Sequence, residues 1–253
     1  MKLALITGAS AGIGKLIAYH FAEDGINLAI VARREDKLQE VKKEIEDKYT
    51  IDVLIIVADL ASAEGPTSVF EKLKDHEVTH LVNNAGFGTN GIFWEMDRKT
   101  ELQQIGLNIA ALTELTHLFL PQMVKRNAGH VLNIASTAAF QPGPYMSVYY
   151  ATKAYVLAFS EGLSGELSET NVWVSVHCPG ATRTEFAAVA GIENKLLFKA
   201  GSASAEAVAK HAYEAMKRGK VVSIHGIGNA LMAFSIRFTP RFIVRMLTKT
   251  INK

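Results

Sequence analysis

Residues 2–14 read Lys-Leu-Ala-Leu-Ile-Thr-Gly-Ala-Ser-Ala-Gly-Ile-Gly (KLALITGASAGIG), and this stretch decides the fold class. Residues 2–7 form an apolar run short enough for one strand. Gly8, Gly12 and Gly14 then break it with a G-x-x-x-G-x-G spacing, and Ile13, Leu16, Ile17, Tyr19, His20 and Phe21 follow at helical spacing. The pattern predicts strand, glycine turn and helix, and residues 28–31 supply the next strand of a ~30-residue unit. Glycines at such a turn let backbone N–H groups approach a pyrophosphate, and the helix N-terminus adds partial positive charge. Gly8, Ser10, Gly12, Ile13 and Gly14 are therefore candidate dinucleotide-binding residues, although tight strand-to-helix packing demands glycine as well.

Outward from this unit the alternation continues. Residues 34–48, dense in Glu and Lys, read as an exposed helix, and residues 53–57 as an aliphatic strand followed by Asp59. A run apolar at every position suits a parallel strand buried on both faces. Strands are expected at 79–82, 130–135, 172–176 and 221–224, and helices at 102–124, from about Tyr149 to 167, and at 205–217. Residues 179–204 read as irregular. Seven strands alternating with helices predict one domain over residues 1–253: a doubly wound, Rossmann-type α/β fold with a seven-stranded parallel sheet and a helical C-terminal extension.

Composition agrees with a large soluble core: 49% of residues are hydrophobic and 21% charged. The single cysteine, Cys178, excludes an intrachain disulfide and a multi-cysteine metal site, and no metal is expected. The N-terminal apolar run is too short to span a membrane and lacks a signal-peptide pattern. The net charge of +2 is uneven, because no acidic residue follows Glu214 while eight cations do.

A second stretch, residues 136–153, places Ser136 after an apolar strand, turn-forming Gln141 to Pro144 next, and then Tyr149 and Lys153 four residues apart on one expected helix face. A hydroxyl, a phenol and an ammonium converge where strand gives way to helix. Tyr150 competes for the phenol's role, but only Tyr149 has the spacing to both partners. At the end of the second strand stand Arg33 and Arg34, with no acid to accept from a ribose 2′-OH. Arg33 suits a 2′-phosphate, which favours NADP(H) and leaves NAD(H) second.

These residues together resemble the short-chain dehydrogenase/reductase family over most of the chain. Thr7 to Gly14 is similar to its TGxxxGxG turn, Asp59-Leu60 to its adenine-contacting pair, and Asn83-Asn84-Ala85-Gly86 to its NNAG motif. Asn108 falls at the family's catalytic Asn, Ser136 lies thirteen residues before Tyr149 as the family's Ser does, and Tyr149 to Lys153 is its YxxxK. Pro179, Gly180, Thr182 and Thr184 resemble the segment beside the nicotinamide. The resemblance implies an NADP(H)-dependent oxidoreductase acting between a carbonyl and a secondary alcohol. In it Tyr149 is the general acid/base, Lys153 its charge partner and ribose anchor, Ser136 the carbonyl's orienting group, and Asn108 the holder of a relay water. It also implies a homodimer or homotetramer and an apolar lid over Phe186, Val189, Ile192, Leu196, Leu197 and Phe198, while the single cysteine fits a reducing, cytoplasmic setting. Phe87, Phe93, Trp94, Phe140, Tyr145 and Met146 are further candidates to line the pocket. The alternative is a non-catalytic dinucleotide-binding scaffold that keeps the fold.

The tail, residues 228–253, reads as two helices joined at Thr239-Pro240, with Thr239 expected as N-cap and Pro240 in the first turn. Arg237, Arg241, Arg245, Lys249 and Lys253 recur every four residues, opposite Phe242, Ile243, Met246 and Leu247. Such a basic amphipathic helix rests peripherally on an anionic membrane or packs on the body or a second subunit. The aromatics are not interleaved as a nucleic-acid stacking platform requires, so no nucleic acid partner is expected.

Overall fold

The computed structural model describes residues 2–193, 195 and 201–253. Its elements in order are β1 (Leu3–Thr7), α1 (Gly12–Glu23), β2 (Asn27–Ala32), α2 (Glu35–Glu46), β3 (Val53–Val57), α3 (Gly65–Leu73), β4 (Val78–Asn83), α4 (Arg98–Ile105) and α5 (Leu112–Arg126). Then come β5 (Gly129–Ile134), α6 (Ser147–Glu166), β6 (Val172–Cys178), β7 (Thr182–Arg183), α7 (Glu185–Val189), β8 (Ala203–Ser204), α8 (Ala205–Lys217), β9 (Val222–Ile224), α9 (Ile227–Ile236) and α10 (Arg241–Asn252).

Seven strands form one sheet in the order β3-β2-β1-β4-β5-β6-β9, parallel at every pairing. All five residues of β1 are buried, because helices cover both faces of the sheet. On one face Ile17 and Phe21 of α1 and Val41 and Ile45 of α2 pack with Ala209 and Ala212 of α8. On the other, Val69 of α3 and Leu115 and Phe119 of α5 close over Leu5, Leu81 and Val131. The strand order reverses between β1 and β4, and open α/β sheets bind ligands beside the strand C-termini at such a point.

Three expectations are corrected. The single helix expected over 102–124 is α4 and α5 joined by a π-helical stretch, Gly106–Ala111, which contains Asn108. The segment expected to be irregular holds α7 and the short parallel pair β7–β8, with Thr184 accepting from the Phe186 N–H at the start of α7. Thr239 does not cap α10; its hydroxyl donates back to the Ser235 carbonyl and closes α9, while Pro240 stands immediately before α10.

Candidate active site

Polar side chains at the ends of β1 and β4 fix the reversal point. The Thr7 hydroxyl donates to the Val82 carbonyl and accepts from the N–H groups of Asn84 and Ala85. The Asn84 amide donates to the carbonyls of Thr7 and Gly8 at 3.0 and 3.2 Å. Behind it Asn83 donates to Thr116 and Asn133, and Asn133 to Ser160, so a buried polar chain ties β4, β5, α5 and α6 together.

Two of the three turn glycines are demanded by this packing. A Cβ on Gly8 would come within 2.8 Å of the Asn84 amide nitrogen, and one on Gly14 within 2.5 Å of the Gly8 carbonyl oxygen. Gly8 and Gly12 also hold φ values of 66° and 57°. Past the turn, α1 begins with no side-chain cap and no acidic residue in its first turn. Its unsatisfied N–H groups and dipole therefore favour an anion.

A cavity of about 480 Å³ opens along these elements. Of the predicted residues, Gly8, Ser10, Gly12, Ile13, Arg33, Asp59, Leu60, Asn84, Ala85, Ser136, Tyr149, Lys153, Pro179, Gly180, Thr182 and Thr184 line it. The cavity is thus continuous from the arginines after β2 to the tyrosine of α6. Gly14 and Asn108 are not in its wall. Gly14 packs helix on turn. Asn108 is buried, and its amide accepts from the Phe87 N–H and donates to the Phe87 carbonyl and to Thr152.

At the inner end, α6 carries Tyr149 and Lys153 on one face, both buried. The Ser136 hydroxyl accepts from the Ala138 N–H and hydrogen-bonds the Tyr149 phenol. Burial pushes the Tyr149 phenol above its usual range, and the Ser136 bond acts in the opposite direction. The charge support expected from Lys153 is not what dominates here. Its ammonium donates to the Ile134 carbonyl at 2.8 Å and stands 5.9 Å from the Tyr149 ring centre. Burial lowers Lys153 itself to about 8. Cys178 is buried and its thiol is pushed up to about 12, so it packs as a neutral group.

Phe186, Val189 and Ile192 line the cavity as expected of a lid, with the Phe186 ring 5.3 Å from that of Tyr149. Leu196, Leu197 and Phe198 lie outside the described residues. Phe87 and Met146 also line the cavity, whereas Phe93 and Trp94 are exposed on a 3₁₀ turn and Phe140 packs on the core beside α6.

Other wall residues have partners that the sequence does not reveal. Arg34 donates both to Ser10 of the glycine turn and to Glu185 of α7, at 3.1 and 2.8 Å, and so bridges the glycine turn to α7. Asn229 and Met232 of α9 and Thr248 and Ile251 of α10 form part of the same wall. Asn252 accepts from the Tyr150 phenol, donates to the Pro144 carbonyl, and through its own carbonyl accepts from Asn90. Tyr150 is thereby committed to α10, which separates it from Tyr149. Apart from Arg34 to Ser10, these contacts join residues a hundred or more positions apart, and no local pattern announces them. Among the described residues no cluster of three or more His, Cys, Asp or Glu is placed to hold a metal ion.

The nicotinamide-binding short-chain dehydrogenase from Sphingobium yanoikuyae, solved with NADPH, superposes with a TM-score of 0.85 at 33% identity, covering 94% of each chain. Inactive hydroxysteroid dehydrogenase-like protein 1 of Homo sapiens is 36% identical over 74% of this chain and 58% of its own length. Very-long-chain 3-oxoacyl-CoA reductase-B of Danio rerio is 33% identical over 74% of this chain and 62% of its own. The chain thus spans about three fifths of the length of these curated relatives. The family profile described as short chain dehydrogenase matches residues 2–194, most of the chain and every strand from β1 to β7. With a seven-stranded parallel sheet and a glycine turn at its reversal point, the chain belongs to the short-chain dehydrogenase family.

Proposed function

We propose that the chain transfers hydride between NADP(H) and an apolar ketone or secondary alcohol, with Tyr149 moving the proton. The observation that carries this reading is a single cavity walled at one end by the glycine turn with Arg33 and Arg34, and at the other by Ser136, Tyr149 and Lys153. The bound nicotinamide supplies the hydride. Gly12 and Ile13 at the uncapped start of α1 receive the pyrophosphate, and Arg33 the 2′-phosphate. Asp59, Leu60, Asn84 and Ala85 flank the adenine half of the cleft, and Pro179, Gly180, Thr182 and Thr184 the nicotinamide half.

A carbonyl that gains hydride builds negative charge on its oxygen, so it needs a donor whose bond strengthens as the charge grows. Tyr149 delivers that proton. Ser136 holds the carbonyl against it, and Lys153 anchors the ribose and keeps a positive charge one turn away. Asn108 fixes the Phe87 backbone from behind the cavity wall. Phe186, Val189, Ile192, Met146, Met232 and Ile251 make the substrate end apolar, in keeping with the relative named as a reductase of very-long-chain 3-oxoacyl-CoA.

NADPH oxidation, with NADH beside it, should be measured against ketones, steroids, quinones and 3-ketoacyl thioesters. Tyr149→Phe should lower kcat by about 10²–10⁴-fold while NADPH still binds; turnover within a few-fold of the parent would refute the role of Tyr149. The relative named as inactive favours a second reading, a dinucleotide-binding scaffold. Tight NADPH binding with no oxidation on any of the four substrate classes is its expected signature.

A further inference from the structure

The last two helices carry a surface that the reaction leaves unused. Leu231 and Phe234 of α9, then Phe238, and Phe242, Met246 and Leu247 of α10 are large apolar side chains open to solvent, Phe238 at 74% and Phe242 at 63%. Both helices turn a different face to the body. Asn229 and Met232 of α9, and Thr248 and Ile251 of α10, line the cavity, while Val244, Thr248 and Asn252 are buried.

At ~100° per residue, the exposed apolar arc of α10 spans about 140° from Phe242 to Leu247. Arg241, Arg245, Lys249 and Lys253 form a stripe of about 120° that runs from the edge of the buried face into the near side of that arc, where Lys253 falls between Phe242 and Met246. The order around the helix is body, cations, exposed apolar side chains. No acidic residue follows Glu214, so nothing within these helices pairs with the stripe. Apolar side chains bordered by cations that form no ion pair among the described residues match the boundary of an anionic bilayer, where acyl chains lie beneath negative headgroups. A second copy is a poorer complement, because a two-fold interface through this face sets cations against cations.

We propose that α9 and α10 form a peripheral docking surface for an anionic lipid bilayer. Among the described residues no helix is long and apolar enough to cross it, so the contact is interfacial. Since both helices also wall the cavity, docking brings the apolar end of the site to the lipid. The proposal rests on this surface alone and holds whether or not the chain catalyses hydride transfer.

The full chain should be sedimented with phosphatidylserine–phosphatidylcholine vesicles and with pure phosphatidylcholine vesicles. It binds the anionic vesicles preferentially and loses that binding as salt rises. Arg241→Gln, Arg245→Gln and Lys249→Gln combined should weaken binding about 100-fold, near fivefold per cation. Phe238→Ser with Phe242→Ser should weaken it as well. All five positions are exposed, and unchanged thermal unfolding will verify that the variants fold. Equal binding to both vesicle types, no binding to either, or a dimer that Phe238→Ser with Phe242→Ser dissociates would each overturn the proposal.

Discussion

Lys153 shows what a buried ammonium does to the fold around it. Burial moves its pKa from 10.5 to about 8, so between those values the unfolded chain holds more protons than the folded one and stability rises with pH. The burden is fully present below pH 8, roughly 3 kcal/mol, and is gone above pH 10.5. Lys153→Met removes it but leaves the Ile134 carbonyl without its donor, which offsets about 1 kcal/mol. Urea unfolding of the cofactor-free protein should therefore show the variant about 2 kcal/mol more stable than the parent at pH 7, with the advantage shrinking toward pH 10. An equal or lower stability at pH 7 would mean that the ammonium is not strained by its site. Under the proposed function the same titration sets an activity limit: kcat/KM for carbonyl reduction falls as pH rises through about 8, where Lys153 loses its charge. The four-residue spacing of Tyr149 and Lys153 was legible in the sequence because a helix converts spacing into a shared face. The partner of Lys153 was not, since Ile134 ends a strand nineteen residues away.

Elements behave in the same way, with local order readable and distant docking hidden. The strands from β1 to β6 stand where apolar runs place them, and α8 has the expected bounds. The break between α4 and α5 leaves no mark in the sequence because a π-helical stretch needs no proline or glycine cluster; here Asn108 bonding to the Phe87 backbone accompanies it. The docking of α10 is of this hidden kind. Asn252 secures its last turn to Tyr150 and Pro144, at 3.1 and 3.0 Å. Asn252→Ala leaves a phenol and a carbonyl without these partners, a loss of about 1–3 kcal/mol by urea unfolding. Tyr150→Phe removes the phenol and keeps the Asn252 donor to Pro144, so it should fall between Asn252→Ala and the parent. No loss in Tyr150→Phe would indicate that the Tyr150 bond contributes nothing.

At the scale of the whole molecule, the cavity joins elements from both ends of the chain, so a ligand filling it should stabilise all of them together. A dinucleotide present at ~100 times its Kd adds about 2.7 kcal/mol to the folded state. For a chain near this size each kcal/mol raises Tm by about 2–4 °C, which predicts a rise of roughly 5–10 °C. Arg33 is exposed at the cavity wall after β2, and Arg34 is occupied by Ser10 and Glu185. Under the proposed function, selection of a 2′-phosphate therefore falls on Arg33. A charge-assisted bond contributes about 1.5–3 kcal/mol, so Arg33→Ala should raise the Kd for NADPH about 10–100-fold and leave that for NADH within a few-fold. The thermal shift with NADPH then drops to the NADH value at the same concentration. If instead Arg34→Ala removes the preference and Arg33→Ala does not, the salt bridge to Glu185 opens on binding and Arg34 reads the phosphate. Equal loss for both cofactors in either variant would place these arginines in the architecture of the cleft and outside its selectivity.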